Sequence, residues 1–145
     1  MMAISTRGRY SLRVLIMMAS EPQGRMFTKH EIAEAEGISG AYVQQLMIAL
    51  RAAGFVSSHR GKVGGFTLAR GAEKITVAEA LSATEGQIVL APCLANESCE
   101  RERDCLTRPL WTGAAKLLND FFSAVTIAEL AEGGPNSYPW VAEGI

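Results

Sequence analysis

Three cysteines lie close together in the C-terminal half of the sequence, and their spacing is the first indication of chemistry. Cys93, Cys99 and Cys105 are each six residues from the next, in the stretch PCLANESCERERDCLTRP. This spacing differs from the C-x2-C pairs of a structural zinc site. Steps of six residues rotate by about 240° around an α-helix, so the three thiols cannot share one helix face. We therefore expect an open loop that can wrap three thiolates around a group larger than one ion.

An iron–sulfur cluster would suit such a loop, because thiolate is its usual protein ligand. The spacing matches neither common ferredoxin pattern, so it leaves two alternatives open: three unrelated thiols, or a redox switch that oxidises two of the three. A fourth ligand is not obvious from the sequence. The chain has two histidines, of which His30 lies at a predicted helix start and His59 on a predicted strand.

Charge divides the chain into two unlike halves. The 145 residues have a formal net charge of −1, which by itself would argue against a nucleic-acid partner. Residues 1–74, however, contain ten Lys and Arg against five Asp and Glu, a net charge of +5. Residues 75–145 contain four against ten, a net charge of −6. The basic half is therefore the one expected to meet a polyanion.

Composition excludes several classes of protein. A chain of 145 residues with 48% hydrophobic and 20% charged residues is neither disordered nor fibrous, and its length suggests one modest core. No apolar run approaches the length of a membrane span, and the first residues, MMAISTRGRY, lack the core of a signal peptide. We therefore expect a cytoplasmic protein with no membrane partner.

Local signals in the basic half predict a helix-turn-helix. After a helix over residues 7–19, Thr28 and Glu31 form a capping box that opens a short helix, and Gly37 suits its left-handed end. Ser39 then caps a second helix that stops at Gly54.

The period of the hydrophobic residues changes after Gly54. Short strands at residues 55–59 and 66–68 flank the basic, glycine-rich stretch RGKVGG at residues 60–65, which predicts a hairpin tip. A helix pair followed by such a wing, within a half of net charge +5, favours DNA binding. The alternative is an ordinary α+β domain with a solvated basic face.

The dimensions of the DNA major groove indicate which residues would contact the bases. A recognition helix enters a major groove about 12 Å wide with its N-terminal residues facing the base edges. There Gln44 or Gln45 would pair with an adenine edge or a phosphate, while Arg60 and Lys62 would lie over the adjacent minor groove. The candidate DNA-binding residues are Lys29, Ser39, Tyr42, Gln44, Gln45, Arg51, Arg60, Gly61 and Lys62.

The acidic half predicts an oligomer contact. A capping box at Thr76 and Glu79 opens a helix through Ala83, residues 86–108 show no sustained period, and Pro109 fits the first turn of a long helix. That helix has an apolar stripe that a small domain cannot fully cover, and we expect it to be buried in a two-fold homodimer. The candidate dimer residues are Leu110, Leu117, Phe121 and Val125.

Together these elements predict a mainly α fold with a small β-hairpin. Residues 1–85 would form a winged helix-turn-helix DNA-binding domain, and residues 86–108 a cysteine-bearing sensor loop. Residues 109–131 would contain the long dimerisation helix and a terminal turn, and residues 132–145 a loose tail. A two-fold dimer would present two recognition helices to the DNA and would therefore bind a pseudo-palindromic operator.

Long stretches of the sequence resemble one bacterial family. They are STRGRYSLRVLIMMA, IAEAEGISGAYVQQLMIALRAAGFVSSHRGKVGGFTLAR, ITVAEALSATEG, CLTRPLW and TIAEL. These stretches look like regulators of the IscR/NsrR/CymR type, the Rrf2 family, from about residue 3 to residue 131. The pattern RG-x-x-GG-[FY]-x-L after the helix pair is a specific part of the resemblance.

The resemblance implies a winged-helix homodimer that represses or activates transcription. Members with cysteines at these positions hold a 2Fe–2S or 4Fe–4S cluster and sense iron–sulfur supply, nitric oxide or redox state. By position, Cys93, Cys99 and Cys105 would be the cluster ligands. Two functions therefore compete: a regulator controlled by a cluster, and the same regulator acting as a cluster-free thiol switch. A small redox or metal enzyme is disfavoured because no catalytic triad, paired carboxylates or nucleotide loop accompanies the thiols, and no small-molecule substrate is expected.

This sequence departs from the family pattern at three positions. Arg108 stands where IscR-type members have a histidine ligand, and Arg9 is the nearest match to an acidic ligand of NsrR-type members. The fourth ligand is therefore open between a residue in trans such as His30, a small molecule and solvent. Gln44 replaces a glutamate of IscR-type members. Since an amide suits adenine whereas a carboxylate accepts from cytosine, we expect a different operator.

Overall fold

The computed structural model describes residues 3–95 and 98–133. Within those ranges the chain forms six α-helices and one two-stranded hairpin. The sequence predicts the hairpin and five of the helices, whereas the predicted terminal turn is a sixth helix. In order these are α1 (Thr6–Ala19), α2 (Lys29–Glu36), α3 (Gly40–Ala52), β1 (Val56–His59), β2 (Gly65–Leu68), α4 (Val77–Glu85), α5 (Arg108–Ala124) and α6 (Ile127–Gly133). Two short 3₁₀ turns lie at Ala72–Lys74 and Pro92–Leu94.

Side-chain caps fix where the helices begin. The predicted capping box at α2 is confirmed: the Glu31 backbone N–H donates to Thr28 Oγ1 at 3.1 Å, and the Thr28 N–H donates to Glu31 Oε2 at 2.7 Å. Thr76 and Glu79 repeat this arrangement at α4. The α4 helix extends to Glu85, two residues beyond the predicted end at Ala83.

The turn between α2 and α3 sets the helix pair. Gly37 adopts a left-handed conformation with φ of 63°, which a residue with a Cβ atom rarely adopts. The Ile38 N–H then donates to Ala33 O at 3.1 Å, which closes the end of α2. Ser39 Oγ accepts a hydrogen bond from the Tyr42 N–H at 3.1 Å, so α3 begins after a short turn. The predicted helix-turn-helix is therefore present.

A main core lies between α1, α2, α3 and the hairpin. Its fully buried side chains come from all three helices and from the segments that follow them, and they include Val14, Leu15, Ile32, Val43, Leu46, Leu50 and Ile75. Burial of apolar side chains on this scale is the main driving force for folding. The core fixes the orientation of α3, because one whole side of that helix is committed to it.

Val125, which we predicted at the dimer contact, lies instead in the core of its own chain. Helix α5 ends at Ala124, and Val125 is extended and 8% exposed, packed in a second cluster with Val77 and Leu81. Its carbonyl accepts a hydrogen bond from the Val77 N–H at 2.9 Å. The chain direction changes at Ala124, so the helical stripe does not continue to Val125, and this part of the prediction is wrong.

The hairpin gains a third short segment from the region before α2. Strands β1 and β2 pair antiparallel, with Val56 opposite Leu68 and His59 opposite Gly65. Phe27 and Phe66 exchange two backbone hydrogen bonds of 2.8 Å, which join the hairpin to the chain before α2. The wing is therefore anchored on both sides to the helix pair.

The C-terminal end of the chain is only partly described. Most of the predicted loose tail, residues 132–145, lies outside the described residues, and residues 132 and 133 complete α6. In the part of the chain that the structure describes, no helix combines the length and the apolar character needed to cross a lipid bilayer.

Candidate nucleic-acid interface and cysteine segment

Helix α3 buries one face and exposes the opposite one. Val43, Leu46 and Leu50 are fully buried, whereas Gln44 and Gln45 are exposed. Since residues three and four apart share a helix face, the same periodicity that commits the apolar side to the core leaves an outer face of amide and small side chains. The predicted base-contacting glutamines lie on this outer face.

Tyr42 is the predicted contact that the structure places differently. Its side chain is half-buried, and its ring packs edge-on against Tyr10 of α1, with ring centroids 6.0 Å apart. Arg13 lies over the other ring of this pair, its Cζ 5.1 Å from the centroid of Tyr10. Tyr42 therefore contributes packing between α1 and α3, and only its exposed part remains available to a ligand.

The start of α3 has a lysine beside it. A Cβ atom added at Gly40 would lie 3.5 Å from Cε of Lys29, so the aliphatic stem of that lysine passes along the first turn. Lys29 is exposed, as is Arg51 in the last turn of the same helix. The outer face of α3 is thus flanked by one cationic side chain at each end.

The tip of the hairpin is basic and exposed. Arg60, Gly61 and Lys62 are all exposed, and Gly61 has a φ of 120°. A Cβ atom at Gly64 would lie 2.6 Å from the carbonyl oxygen of His59, so the turn closes only because this residue has no side chain. The tip follows α3 closely along the chain and presents two cations, as the sequence predicts.

The three cysteines lie between α4 and α5 on residues 86–107, which we call the cysteine segment. All three are half-buried free thiols. Cys93 is in the 3₁₀ turn Pro92–Leu94, and Cys105 lies just before α5. Within residues 3–95 and 98–133, no three His, Cys, Asp or Glu side chains are close enough together to hold a metal ion. The donor type therefore fits an iron–sulfur cluster, but this conformation does not bring the three thiols together.

Cys105 has the most distinctive environment of the three. Its Sγ lies 3.4 Å from Thr107 Oγ1. The hydrogen bond with the Thr107 side chain, followed by bonds from the backbone N–H groups of Thr107 and Arg108, lowers the pKa of the Cys105 thiol. A thiol at a helix start is stabilised as thiolate because unpaired N–H groups point at it. These hydrogen bonds just before α5 therefore favour the thiolate form of Cys105.

The positions considered for a fourth ligand have partners of their own. Arg108 forms an ion pair with Glu102, its Nη2 3.0 Å from Oε1, inside the cysteine segment. His30 is a largely exposed residue of α2 whose Nε2 lies 3.6 Å from Glu34 Oε2. Arg108 therefore links the loop to the start of α5 at the position where the family resemblance would place a histidine.

Glu85 joins the end of α4 to the start of α1, a contact that the sequence does not reveal. Its Oε1 accepts a hydrogen bond from the Gly8 N–H at 3.0 Å and another from the Ser5 hydroxyl, while the Ser5 N–H donates to Oε2 at 3.4 Å. The carboxylate thus adds to the cap of α1 across 77 residues of sequence. No local sequence pattern predicts that the acceptor capping a helix lies so far along the chain.

Helix α5 presents an apolar face to solvent. Leu110 is 61% exposed, Leu117 72% and Phe121 43%. Leu118 and Phe122, on the adjacent face, are half-buried and line an open groove of about 740 Å³ with residues 87–90 of the cysteine segment. The exposed stripe contains three of the four predicted dimer residues.

Comparison with known proteins gives the family. The family model Rrf2, described as an iron-dependent transcriptional regulator, matches residues 4–133. The transcriptional regulator IscR of Xenorhabdus nematophila is 34% identical over 131 residues, which are 90% of this chain and 80% of IscR.

Solved structures agree with this assignment. The global cysteine regulator CymR of B. subtilis is 30% identical with a TM-score of 0.77, over 90% of this chain and 97% of CymR. The oxidized form of Staphylococcus aureus CymR is 33% identical with a TM-score of 0.73, over 90% and 97%. IscR is named a transcriptional regulator and CymR a global cysteine regulator, so these relatives are regulatory proteins and not enzymes. With the helix-turn-helix, the wing and the match over residues 4–133, this chain belongs to the Rrf2 family of DNA-binding transcriptional regulators.

Proposed function

We propose that this regulator binds a pseudo-palindromic operator as a homodimer and that the chemical state of Cys93, Cys99 and Cys105 sets its affinity. The outer face of α3 carries the DNA-binding part of the proposal, since it exposes Gln44 and Gln45 opposite a fully buried face. The protein would act in the cytoplasm, where the DNA is.

Phosphate contacts would come from the cations around this face. Lys29 lies beside the first turn of α3, and Arg51 is exposed in its last turn. Arg60 and Lys62 at the wing tip would extend the contact to the adjacent minor groove, where the negative potential attracts cations. Such contacts position a protein on the duplex without reading its sequence.

We propose an iron–sulfur cluster as the group held by the three cysteines, because thiolates are its usual ligands. A cluster bound there would supply a redox-sensitive covalent tie between three points of the segment. The segment would have to close around it, since the thiols are apart in the conformation described. With Arg108 in place of a histidine, we expect the fourth ligand to come from elsewhere and the cluster to be labile.

The position of the segment supports a role in control. It begins after Glu85, whose carboxylate caps α1. Near its other end the Cys105 thiol is hydrogen-bonded to Thr107, the residue just before α5. Ligation or oxidation that moves Cys105 relative to Cys93 would therefore move α5 relative to α4. This shifts the population between two DNA-binding states, which is sufficient for regulation without any catalytic step.

A thiol switch is the second candidate, and one observation favours it. The hydrogen bonds at the start of α5 lower the pKa of Cys105, and a thiolate is the form that reacts with oxidants. In this mechanism two of the three thiols would form a disulfide, with two electrons passing to an external oxidant such as a peroxide and two protons released. The same displacement of α5 would follow without metal.

The dimer would form through α5. Leu110, Leu117 and Phe121 expose a continuous apolar stripe on a helix without a fully buried residue among those described. A second copy related by a two-fold axis would bury the same stripe on both sides. Two copies of α3 would then lie about one helical turn of DNA apart, which is the reason for expecting two half-sites.

The test of the cluster is the iron and acid-labile sulfide content of the full chain purified without oxygen. We expect visible absorption, bound iron and sulfide in the wild type, and their loss when any one of the three cysteines is replaced by alanine. Arg108→His supplies an imidazole three residues after Cys105 and should slow iron loss in air, whereas Arg108→Ala should not. Colourless, iron-free wild-type protein from iron-replete cells would exclude the cluster and leave the thiol switch.

A further inference from the structure

Ile48 is an isoleucine exposed at the centre of the outer face of α3. Its side chain is 53% exposed, although the helix has four fully or almost fully buried apolar residues on its other side. At about 100° per residue, Ile48 lies about 160° around the helix from the buried Leu50. No movement within the chain short of rotating α3 would bring Ile48 into the core.

The neighbours of Ile48 on this face are small or carry amides. Ala41 and Ala52 lie seven residues before it and four after it, and both are exposed. Gln44 and Gln45 precede it by four and three residues, so all of these side chains share one face. Two alanines beside one branched side chain leave Ile48 as the most prominent apolar group on the surface that would enter a groove.

The charges around this face identify the surface that would cover it. Lys29 lies beside the start of the helix and Arg51 is in its last turn, within a half of net charge +5. A polyanion matches these charges, and amide side chains among apolar ones match the edges of adenine–thymine pairs. The apolar group that DNA presents in its major groove is the 5-methyl group of thymine.

We infer that Ile48 is a specificity-determining residue that contacts the 5-methyl group of a thymine, next to a base pair whose adenine is contacted by Gln44 or Gln45. Four residues advance a helix by about 6 Å, which corresponds to about two base-pair steps of about 3.4 Å. The methyl group should therefore lie within about two base pairs of the adenine contacted by Gln44. This inference rests on the proposed function, because it requires that α3 enters the major groove.

The test uses DNA in which only the methyl group is removed. The full-length chain first selects its binding site from a random duplex library. Each thymine of that site is then replaced singly by deoxyuridine, which keeps the base pairing and lacks the 5-methyl group. For the wild type we expect one thymine in each half-site where deoxyuridine weakens binding about fourfold, the change for one buried methyl-sized group.

Variants of the protein assign the effect to the side chain. Ile48→Ala should bind thymine and deoxyuridine sites equally, while Ile48→Val should keep the discrimination in reduced form. Gln44→Ala is the matched control on the same face: it should weaken binding but keep the sensitivity to the methyl group. Positions 44 and 48 are both exposed, and circular dichroism checks that each of the three variants is folded.

The results of this experiment distinguish failure of DNA binding from failure of the thymine contact of Ile48. Failure of the chain to select any DNA would overturn the proposed function and the inference together. Selection of a site without thymine, or a site where no deoxyuridine changes affinity, would overturn the inference alone. Persistence of the deoxyuridine effect in Ile48→Ala would also overturn it, because another side chain would then contact the methyl group.

Discussion

The carboxylate of Glu85 accepts a hydrogen bond of 3.0 Å from the backbone N–H of Gly8, which joins the last residue of α4 to the first turn of α1. A Cβ atom at Gly8 would lie 2.6 Å from Glu85 Oε1, so the contact also depends on a residue without a side chain. Because the cysteine segment begins directly after Glu85, this bond links the proposed sensor to the helix that packs against α3.

Removing the Glu85 carboxylate should therefore lower the stability of the fold. Glu85→Ala leaves the Gly8 N–H without its long-range acceptor, and we expect a loss of about 1 kcal/mol of unfolding free energy, typical of a lost helix cap. Urea denaturation measures this loss, and Glu132→Ala, an exposed carboxylate at the end of α6, is the control. Equal stability of the two variants would contradict a structural role for the contact.

The environment of Cys105 predicts its reactivity as a function of pH. Hydrogen bonding with Thr107 is the largest cause that lowers the pKa of this thiol, so more thiolate is present at neutral pH than for an ordinary cysteine. Thr107→Val removes the side-chain bond and should raise the pKa. Alkylation by iodoacetamide, followed at Cys105 by mass spectrometry, should then slow at pH 7 and have its midpoint at higher pH.

A matched threonine controls for this measurement. Thr112 lies in α5 and donates its hydroxyl to the Arg108 carbonyl at 2.9 Å, with no hydrogen bond to the Cys105 thiol. Thr112→Val should leave the alkylation profile of Cys105 unchanged. If Thr107→Val has the wild-type profile as well, the hydrogen bond does not control the thiol.

The wing predicts a change in salt dependence. Arg60 and Lys62 are exposed at the hairpin tip, and each phosphate contact releases counterions when the protein binds DNA. Lys62→Ala should weaken binding to all sequences alike and reduce the slope of log Kd against log salt concentration by about 1. The control is Lys116→Ala on α5, for which we expect the wild-type slope. An unchanged slope in Lys62→Ala would place the wing away from the phosphates.

The exposed stripe of α5 predicts a dimer that one charge disrupts. Leu117 is 72% exposed in the single chain, so Leu117→Glu should leave the fold of the monomer intact while a buried carboxylate opposes association. Sedimentation velocity at micromolar concentration should change from dimer to monomer. Asn119→Glu, exposed on another side of the same helix, should remain dimeric. A dimeric Leu117→Glu variant would show that another surface holds the copies together.

Local signals predicted much of this fold. The capping boxes at Thr28 and Thr76, the left-handed Gly37 and the basic hairpin tip are each determined by residues within a few positions of one another. These signals were sufficient for the helix-turn-helix and the wing, and hence for the outer face of α3.

The contacts that the sequence did not reveal join distant segments. Phe27 pairs with Phe66, and Glu85 reaches Gly8 across 77 residues. The helical stripe of α5 predicts Val125 at the dimer contact, but α5 ends one residue before it and Val125 packs in the core. No sequence motif identifies Ile48, because an exposed apolar residue is recognised only once the buried face of its helix is known.

The state of the cysteine segment is expected to set the affinity of the protein for DNA. The direct measurement is the Kd for the selected operator, without oxygen, of the wild type as purified and of the same protein after its thiols are oxidised or its iron is removed. We expect a change of about 5- to 150-fold, the usual range of coupling between two sites. The variant with Cys93, Cys99 and Cys105 all replaced by alanine should bind with one affinity under both conditions. Equal affinity of the wild type in both states, or an equal change in the triple variant, would show that the three cysteines do not control DNA binding.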